Sequence, residues 1–265
     1  MKPYYLVKPA VRKVPFLLSI PHCGIEIPPE IRDLYVPELI KFIDDTDWHL
    51  YQLYDFASDL GVTVIYAKYS RWVIDLNREP GSKPLYDDGR IITELCPKTT
   101  FLGESLYKKN EFQPNDEEID SRLQKYFYPY HEKIDEIIKE LRREFGNVLF
   151  WDGHSIRREV KTISKKPFPD FILGNNDRKT SDNRFVDVAL NDLRSSVWGV
   201  NHNDPFKGGF LTRSKGDPTN GVHALQLEMS KDLYMSKNET EYDLKKSEKV
   251  KGLLKSTFQN LISII

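Results

Sequence analysis

Two histidines, a group of aspartates and one glutamate stand at or just beyond apolar runs of this 265-residue sequence. His22 follows Phe16–Ile20. Asp44, Asp45, Asp47 and His49 crowd the next segment. Asp152 and His154 follow Val148-Leu149-Phe150-Trp151, and Glu228 lies within Val222–Met229. Two imidazoles and one carboxylate from separate elements are the donor set of a catalytic zinc site, because three protein ligands leave a fourth position for water. A cation there acidifies that water toward neutral pH, and a nearby glutamate can carry the proton. Each residue also has an ordinary reading. A histidine after a strand commonly hydrogen-bonds within its loop, and Asp45 or Asp47 ahead of an apolar helix suits an N-cap. Gln226 and Glu228 alternate with Leu225 and Leu227, so the polar pair could simply face solvent.

Arginines add a second kind of chemistry. Arg71, Asp75, Asn77 and Arg78 surround an apolar stretch, Arg157 stands three residues after His154, and Arg213 follows a turn rich in glycine. Arginine grips a carboxylate through two parallel N–H bonds, so several of them near a metal suggest an acidic substrate. The competing reading is structural: Arg71 pairs with Asp75, and Arg213 lies at the surface.

The elements that must position these residues read as alternating strands and helices. Strands are expected at Phe16–Ile20, Val62–Ala67, Arg71–Leu76, Val148–Trp151, Asp170–Gly174, 198–202 and Val222–Met229. A helix ending at Gly61 is expected around Leu50–Ala57. A longer one over about 116–145 carries the stripe Ile119, Leu123, Phe127, Tyr130, Ile134, Ile137, Ile138 and Leu141, with a bend at Pro129. Further helices fall at 183–195 and 242–261. Residues 79–105, rich in glycine, proline and aspartate, read as a long functional loop. The alternation implies βαβ units and a mostly parallel sheet, whose ligands gather at the carboxyl ends of strands.

Composition narrows the function. With 39% apolar residues and 12% aromatic ones, the chain has material for one sizeable core, and residues 1–265 read as a single α/β domain. A net charge of −1 gives no global field for nucleic acid or anionic lipid. Apolar runs such as Phe16–Ile20 and Leu261–Ile265 are far short of the roughly 20 residues that span a bilayer. Lys2, Lys8, Arg12 and Lys13 precede an apolar stretch that Pro21 ends without a small-residue cleavage site, so a signal peptide is not expected. Two cysteines, Cys23 and Cys96, make neither a disulfide framework nor a four-cysteine metal site, and a cytoplasmic location is expected.

Six segments, in order, resemble the N-formylglutamate amidohydrolase family: Ser19–Gly24, Asp45-Thr46-Asp47-Trp48-His49, Tyr69–Arg78, Asp152–Arg157, Asn203–Gly209 with Thr212-Arg213, and His223–Met229. The resemblance implies a three-layer α/β/α fold with a mostly parallel mixed sheet, similar to the zinc exopeptidases. It also implies zinc-dependent cleavage of N-formyl-L-glutamate to formate and glutamate, in histidine degradation. By that likeness His22, His154 and either Asp45 or Asp47 hold Zn2+, and Glu228 is the general base. Asn77 and Arg78 resemble a carboxylate-binding pair, and Arg71, Arg157 and Arg213 join them as substrate-binding candidates. Lys83-Pro84-Leu85-Tyr86 resembles a family segment expected over the pocket. Ser214-Lys215-Gly216, Gly174–Asp177 and Arg158-Glu159-Val160 depart from the family pattern without touching the expected ligands. They leave room for a zinc amidohydrolase acting on another N-acyl amino acid or a small peptide. A binder of acidic metabolites without catalysis is the remaining alternative.

Overall fold

The computed structural model of the chain describes residues 2–81 and 94–265, so the Lys83-Pro84-Leu85-Tyr86 segment lies outside the described residues. Among the described residues seven strands form one sheet: β1 (Tyr4–Val7), β2 (Phe16–Ile20), β3 (Thr63–Ala67), β4 (Val148–Ile156), β5 (Phe171–Gly174), β6 (Val200–His202) and β7 (Val222–Ser230). Their spatial order is β1-β3-β2-β4-β7-β5-β6. The central strands β3, β2, β4 and β7 run parallel. β1 adds to β3 and β5 adds to β7 in antiparallel sense, and β6 extends β5 in parallel. The mostly parallel mixed sheet therefore agrees with the alternation in the sequence, with β1 as an unexpected edge strand.

The helices are α1 (Pro29–Arg32), α2 (Leu50–Leu53), α3 (Asp116–Arg122), α4 (Tyr128–Phe145), α5 (Asn183–Arg194), α6 (Phe210–Lys215) and α7 (Leu244–Ile262). The period-2 pattern of the strands divides the apolar side chains between two layers. On one face Phe16, Leu18, Trp151, Leu225 and Leu227 pack with α5 and α7. On the other face Leu17, Phe150 and Ala224 pack with α4 and with Trp72 and Val73. Asp243 caps α7, accepting from the Lys246 amide at 3.0 Å, and Asn115 caps α3, accepting from Glu118 at 2.9 Å. Among the described residues no helix is long and apolar enough to cross a membrane.

Three local expectations change. Arg71–Leu76 forms turns, because Ser70 accepts from the amides of Trp72 and Val73 and the carboxylate of Asp75 gathers its neighbours. The bend expected at Pro129 is a π-helical turn over Leu123–Phe127, and the proline sits in the first turn of α4, where its missing N–H costs little. The helix expected over Leu50–Ala57 is one α-turn followed by a 3₁₀ segment, Asp55–Leu60. Gly61 ends it with φ +84°, where a Cβ would meet the Arg12 carbonyl at 2.3 Å.

α7 closes its layer with Phe258, which is fully buried, 4.6 Å from Phe16 and 5.2 Å from Trp151 between ring centroids. Phe258→Ala should lower the unfolding free energy by about 3–5 kcal/mol in urea denaturation. A loss below about 1 kcal/mol would mean that this ring does not hold the layer together.

Candidate metal centre

Parallel β2, β4 and β7 bring their carboxyl ends to one edge of the sheet, and the polar residues gather there. His22 lies two residues past β2. His154 and Asp152 lie on β4 itself, which runs further than the apolar stretch suggests. In the β4–β7 register His154 is opposite Glu228 and Asp152 is opposite Gln226, so all four project from the same face. The Asp44–Trp48 loop folds against this edge, fixed by a bond from the Asp47 amide to the His22 carbonyl at 2.9 Å.

Asp47 Oδ2 is the centre of the arrangement. It lies 3.2 Å from His154 Nδ1 and 3.9 Å from His22 Nδ1, and the two imidazole centroids are 4.9 Å apart. His22, Asp47 and His154 are all buried, and each offers a ligand atom within 4.8 Å of the others. Donor atoms around one tetrahedral zinc ion stand about 3.3 Å apart, given bonds of roughly 2.0–2.1 Å. The three residues therefore fit a single divalent cation.

The opposite nitrogen of each imidazole faces a second carboxylate. His22 Nε2 is 2.7 Å from Asp75 Oδ1, and His154 Nε2 is 3.0 Å from Asp152 Oδ1. An outer carboxylate that takes the Nε2 proton leaves Nδ1 free as a ligand and fixes the ring. Asp75 also accepts from Arg71 Nη2 at 2.7 Å and from the Asn77 amide at 2.9 Å. Thr212 donates to Asp152 Oδ2 at 3.0 Å, while Asp152 Oδ1 is buried with no aligned hydrogen-bond partner.

The charges of the site are interdependent. Burial discourages a proton on both rings, and with Arg71 nearby it lowers the pKa of His22. At His154 burial is overcome by Asp152 and Asp47, which raise the pKa well above the usual value. Asp47 and Asp75 stay acidic against the same burial, Asp47 through His154 and His22, Asp75 through Arg71 and His22. This donor set draws positive charge to its middle. Glu228 differs: burial, reinforced by Asp47 and Asp152, pushes its carboxyl up to about 8 against the opposing pull of His154. One edge of Glu228 still reaches solvent, although protein encloses most of its carboxyl.

The remaining candidates divide. Asp45 is turned away from the imidazoles and accepts from Trp72 Nε1 at 2.8 Å and from the Phe101 amide at 3.1 Å. Arg71 is buried on Asp75, with its guanidinium 4.7 Å above the Phe101 ring. Asn77 Nδ2 lies 3.1 Å from His154 Nε2, and Oδ1 accepts from the Leu211 amide at 2.7 Å. That contact requires Gly209, where a Cβ would stand 2.3 Å from Asn77 Nδ2. Arg78 Nη2 is 3.9 Å from Asp75, and Arg213 Nε donates to the Gly208 carbonyl at 2.8 Å. Arg157 is not brought to the centre. It pairs with Asp44 through Nε and Nη2 and with Glu239 at 2.8 Å, so its donors are taken up in holding two loops together. His49 packs between Trp48 and Tyr242. The outer roles of Asp75 and Asp152 are not evident from spacing, though the i, i+2 relation of Asp152 to His154 on a strand carries a signal. Buried Lys231 and Tyr234, described below, carry none.

Residues 14–235 match the family model described as N-formylglutamate amidohydrolase. The chain is 41% identical over 229 residues to an N-formylglutamate deformylase of Pseudomonas putida, covering 86% of this chain and 84% of that protein. It is 37% identical over 254 residues to an N-formylglutamate deformylase of Pseudomonas aeruginosa, covering 95% and 94%. The crystal structure of an N-formylglutamate amidohydrolase from Ralstonia eutropha JMP134 has the same fold, with a TM-score of 0.82 at 24% identity over 100% of this chain and 97% of that one.

Asp75 supplies the test of this electrostatic frame. Its depressed pKa contributes stability that is present above the unfolded carboxyl value of about 3.9 and is lost as the pH falls through the folded value. Asp75→Asn should cost about 3–5 kcal/mol at pH 7 in urea denaturation, and the gap to the parent should shrink below about pH 4. A gap that does not change with pH would exclude the ionised carboxylate as its source.

Proposed function

The chain belongs to the N-formylglutamate amidohydrolase family, and from that membership we propose that it hydrolyses the amide bond of N-formyl-L-glutamate at a metal centre held by His22, Asp47 and His154. The products are formate and L-glutamate. The observation that carries this reading is the convergence of two imidazoles on one oxygen of Asp47, each backed by a second carboxylate. Two nitrogen donors and one carboxylate are a donor set of catalytic Zn2+ in hydrolases. When bound, that ion supplies a Lewis acid and a water acidified toward neutral pH.

The chain's own residues supply the rest. Glu228, beside His154 in the register, takes a proton from the attacking water as the new C–O bond forms at the formyl carbon. It then returns the proton to the departing nitrogen as the C–N bond breaks, which leaves formic acid and a neutral amine; the acid's remaining proton passes to the amine, giving formate and the ammonium form of L-glutamate. Its raised pKa makes it a competent base and then a competent acid near neutral pH. Arg71 contributes fixed positive charge toward the developing oxyanion. Asn77, Arg78 and Arg213 are assigned to the substrate carboxylates, through the bidentate geometry that arginine offers. Arg157, fully engaged by Asp44 and Glu239, is assigned to the frame of the site. The same reading assigns the reaction to histidine degradation in the cytoplasm.

Purified protein should carry one divalent ion per chain and release formate from N-formyl-L-glutamate. His154→Ala should abolish both metal retention and turnover. Glu228→Gln should retain the metal while kcat falls by about 10²–10⁴. Because a base acts ionised, kcat/KM should rise with pH and level off below about pH 8, the cation's charge drawing the Glu228 pKa down from its value in the protein alone. Full turnover after chelation would overturn the metal reading. A metal-loaded protein that cleaves another N-acyl amino acid and leaves N-formyl-L-glutamate intact would overturn the substrate.

A further inference from the structure

We propose that Tyr234 is a positioning residue that sets cation affinity by clamping the Asp47 loop to β4. This rests on the metal centre proposed above. β7 ends at Ser230, a 3₁₀ turn follows over Lys231–Leu233, and Tyr234 comes next, fully buried. Its hydroxyl lies 2.9 Å from the Trp48 carbonyl oxygen and 2.8 Å from Ser155 Oγ, within hydrogen-bond reach of both. Trp48 is the residue after Asp47, and Ser155 is the residue after His154. One hydroxyl therefore ties together the chain neighbours of two of the three ligands. Burial raises the phenol pKa well above its ordinary value, so the group remains a donor throughout the working pH range.

The same turn grips the other flank of the loop. Lys231 is buried, and its Nζ donates to the Asp44 carbonyl at 3.1 Å. Asp47 thus lies between two points held by the segment that continues the Glu228 strand. Its own amide is held by the His22 carbonyl at 2.9 Å. Neither Tyr234 nor Lys231 is needed as a ligand or for proton transfer. What they determine is the separation of Asp47 Oδ2 from His154 Nδ1, 3.2 Å here, which must remain near the spacing of donors that share one ion. Outer groups that orient metal ligands typically change affinity by about 10–100-fold when removed. Tyr234 is a cleaner probe than Lys231, because loss of the lysine would also remove positive charge near the cation.

The test compares the parent protein with Tyr234→Phe, which keeps the ring and alters no charge. Zn2+ dissociation constants are measured by chelator competition, release rates by transfer to excess chelator, and thermal midpoints before Zn2+ is added. A positioning role predicts a dissociation constant about tenfold higher and faster release, beyond any fall in the midpoint. A lower midpoint with unchanged affinity and release would make the hydroxyl merely structural and overturn the proposal. Should Tyr234→Phe fail to fold, Ser155→Ala, which keeps the bond to Trp48, should weaken binding severalfold, and unchanged affinity there overturns the proposal equally. A parent protein that binds no cation overturns the metal reading itself, whereas a parent that binds while the variants bind as tightly overturns only the clamp.

Discussion

A carboxylate held between two buried imidazoles cannot stand alone. Asp47, Asp75, Asp152 and Glu228 sit together at one edge of the sheet, within a layer otherwise filled by apolar side chains. An unpaired charge in such surroundings costs several kcal/mol, so each must be balanced by a proton, an arginine or a cation. Arg71 balances Asp75, and the imidazole of His154 balances Asp152 and Asp47. Among the described residues Glu228 has no bonded partner of opposite charge, and burial pushes its carboxyl up to about 8. The proposed base is thus the one carboxyl of the four left outside the network that satisfies the others.

The sheet makes this possible through direction. Parallel strands β2, β4 and β7 all deliver their last residues to the same edge, while the antiparallel β5 returns past Glu228 and seals the flank, with Ile172 opposite it. Loops then complete the site from outside. The Asp44–Trp48 loop supplies Asp47, the turns after Ser70 supply Arg71, Asp75 and Asn77, and the Gly208–Thr212 segment braces Asn77 and Asp152. Strands β4 and β7 fix His154 and Glu228, His22 follows directly after β2, and loops tied by hydrogen bonds fix the counter-charges.

Much of this was legible in the amino-acid order. Apolar runs marked the four central parallel strands, and the polar residues at their ends included both imidazoles and Glu228. The fold class followed from alternation, and the choice between Asp45 and Asp47 stayed open, because both precede the same short helix and only loop geometry separates them. Asp45 is spent on the indole of Trp72, a contact between residues 27 positions apart that no local pattern encodes. Arg71–Leu76 reads as a strand because it is apolar, yet it folds as turns, since the need of Asp75 for several donors outweighs strand propensity. Arg157 reads as a substrate ligand from its closeness to His154. It lies one residue beyond the end of β4 and is drawn to Asp44 and Glu239 instead. Tyr234 and Lys231 act through carbonyl oxygens nearly two hundred residues distant, a relation visible only in three dimensions.

The nine-residue pairing of β4 with β7 works as a phase relation. Trp151, Leu225 and Leu227 fill the α5/α7 side, and their bulk makes any slippage by one position prohibitive, since it would drive Asp152, His154 and Glu228 into hydrocarbon. On the reactive side Phe150 and Ala224 add to the same lock. Volume-conserving exchanges among the packing residues are tolerable, but a single inserted or deleted residue upstream in either strand would invert which side chains look inward. The polar edge is thus kept aligned in part by apolar residues on the opposite surface of the sheet.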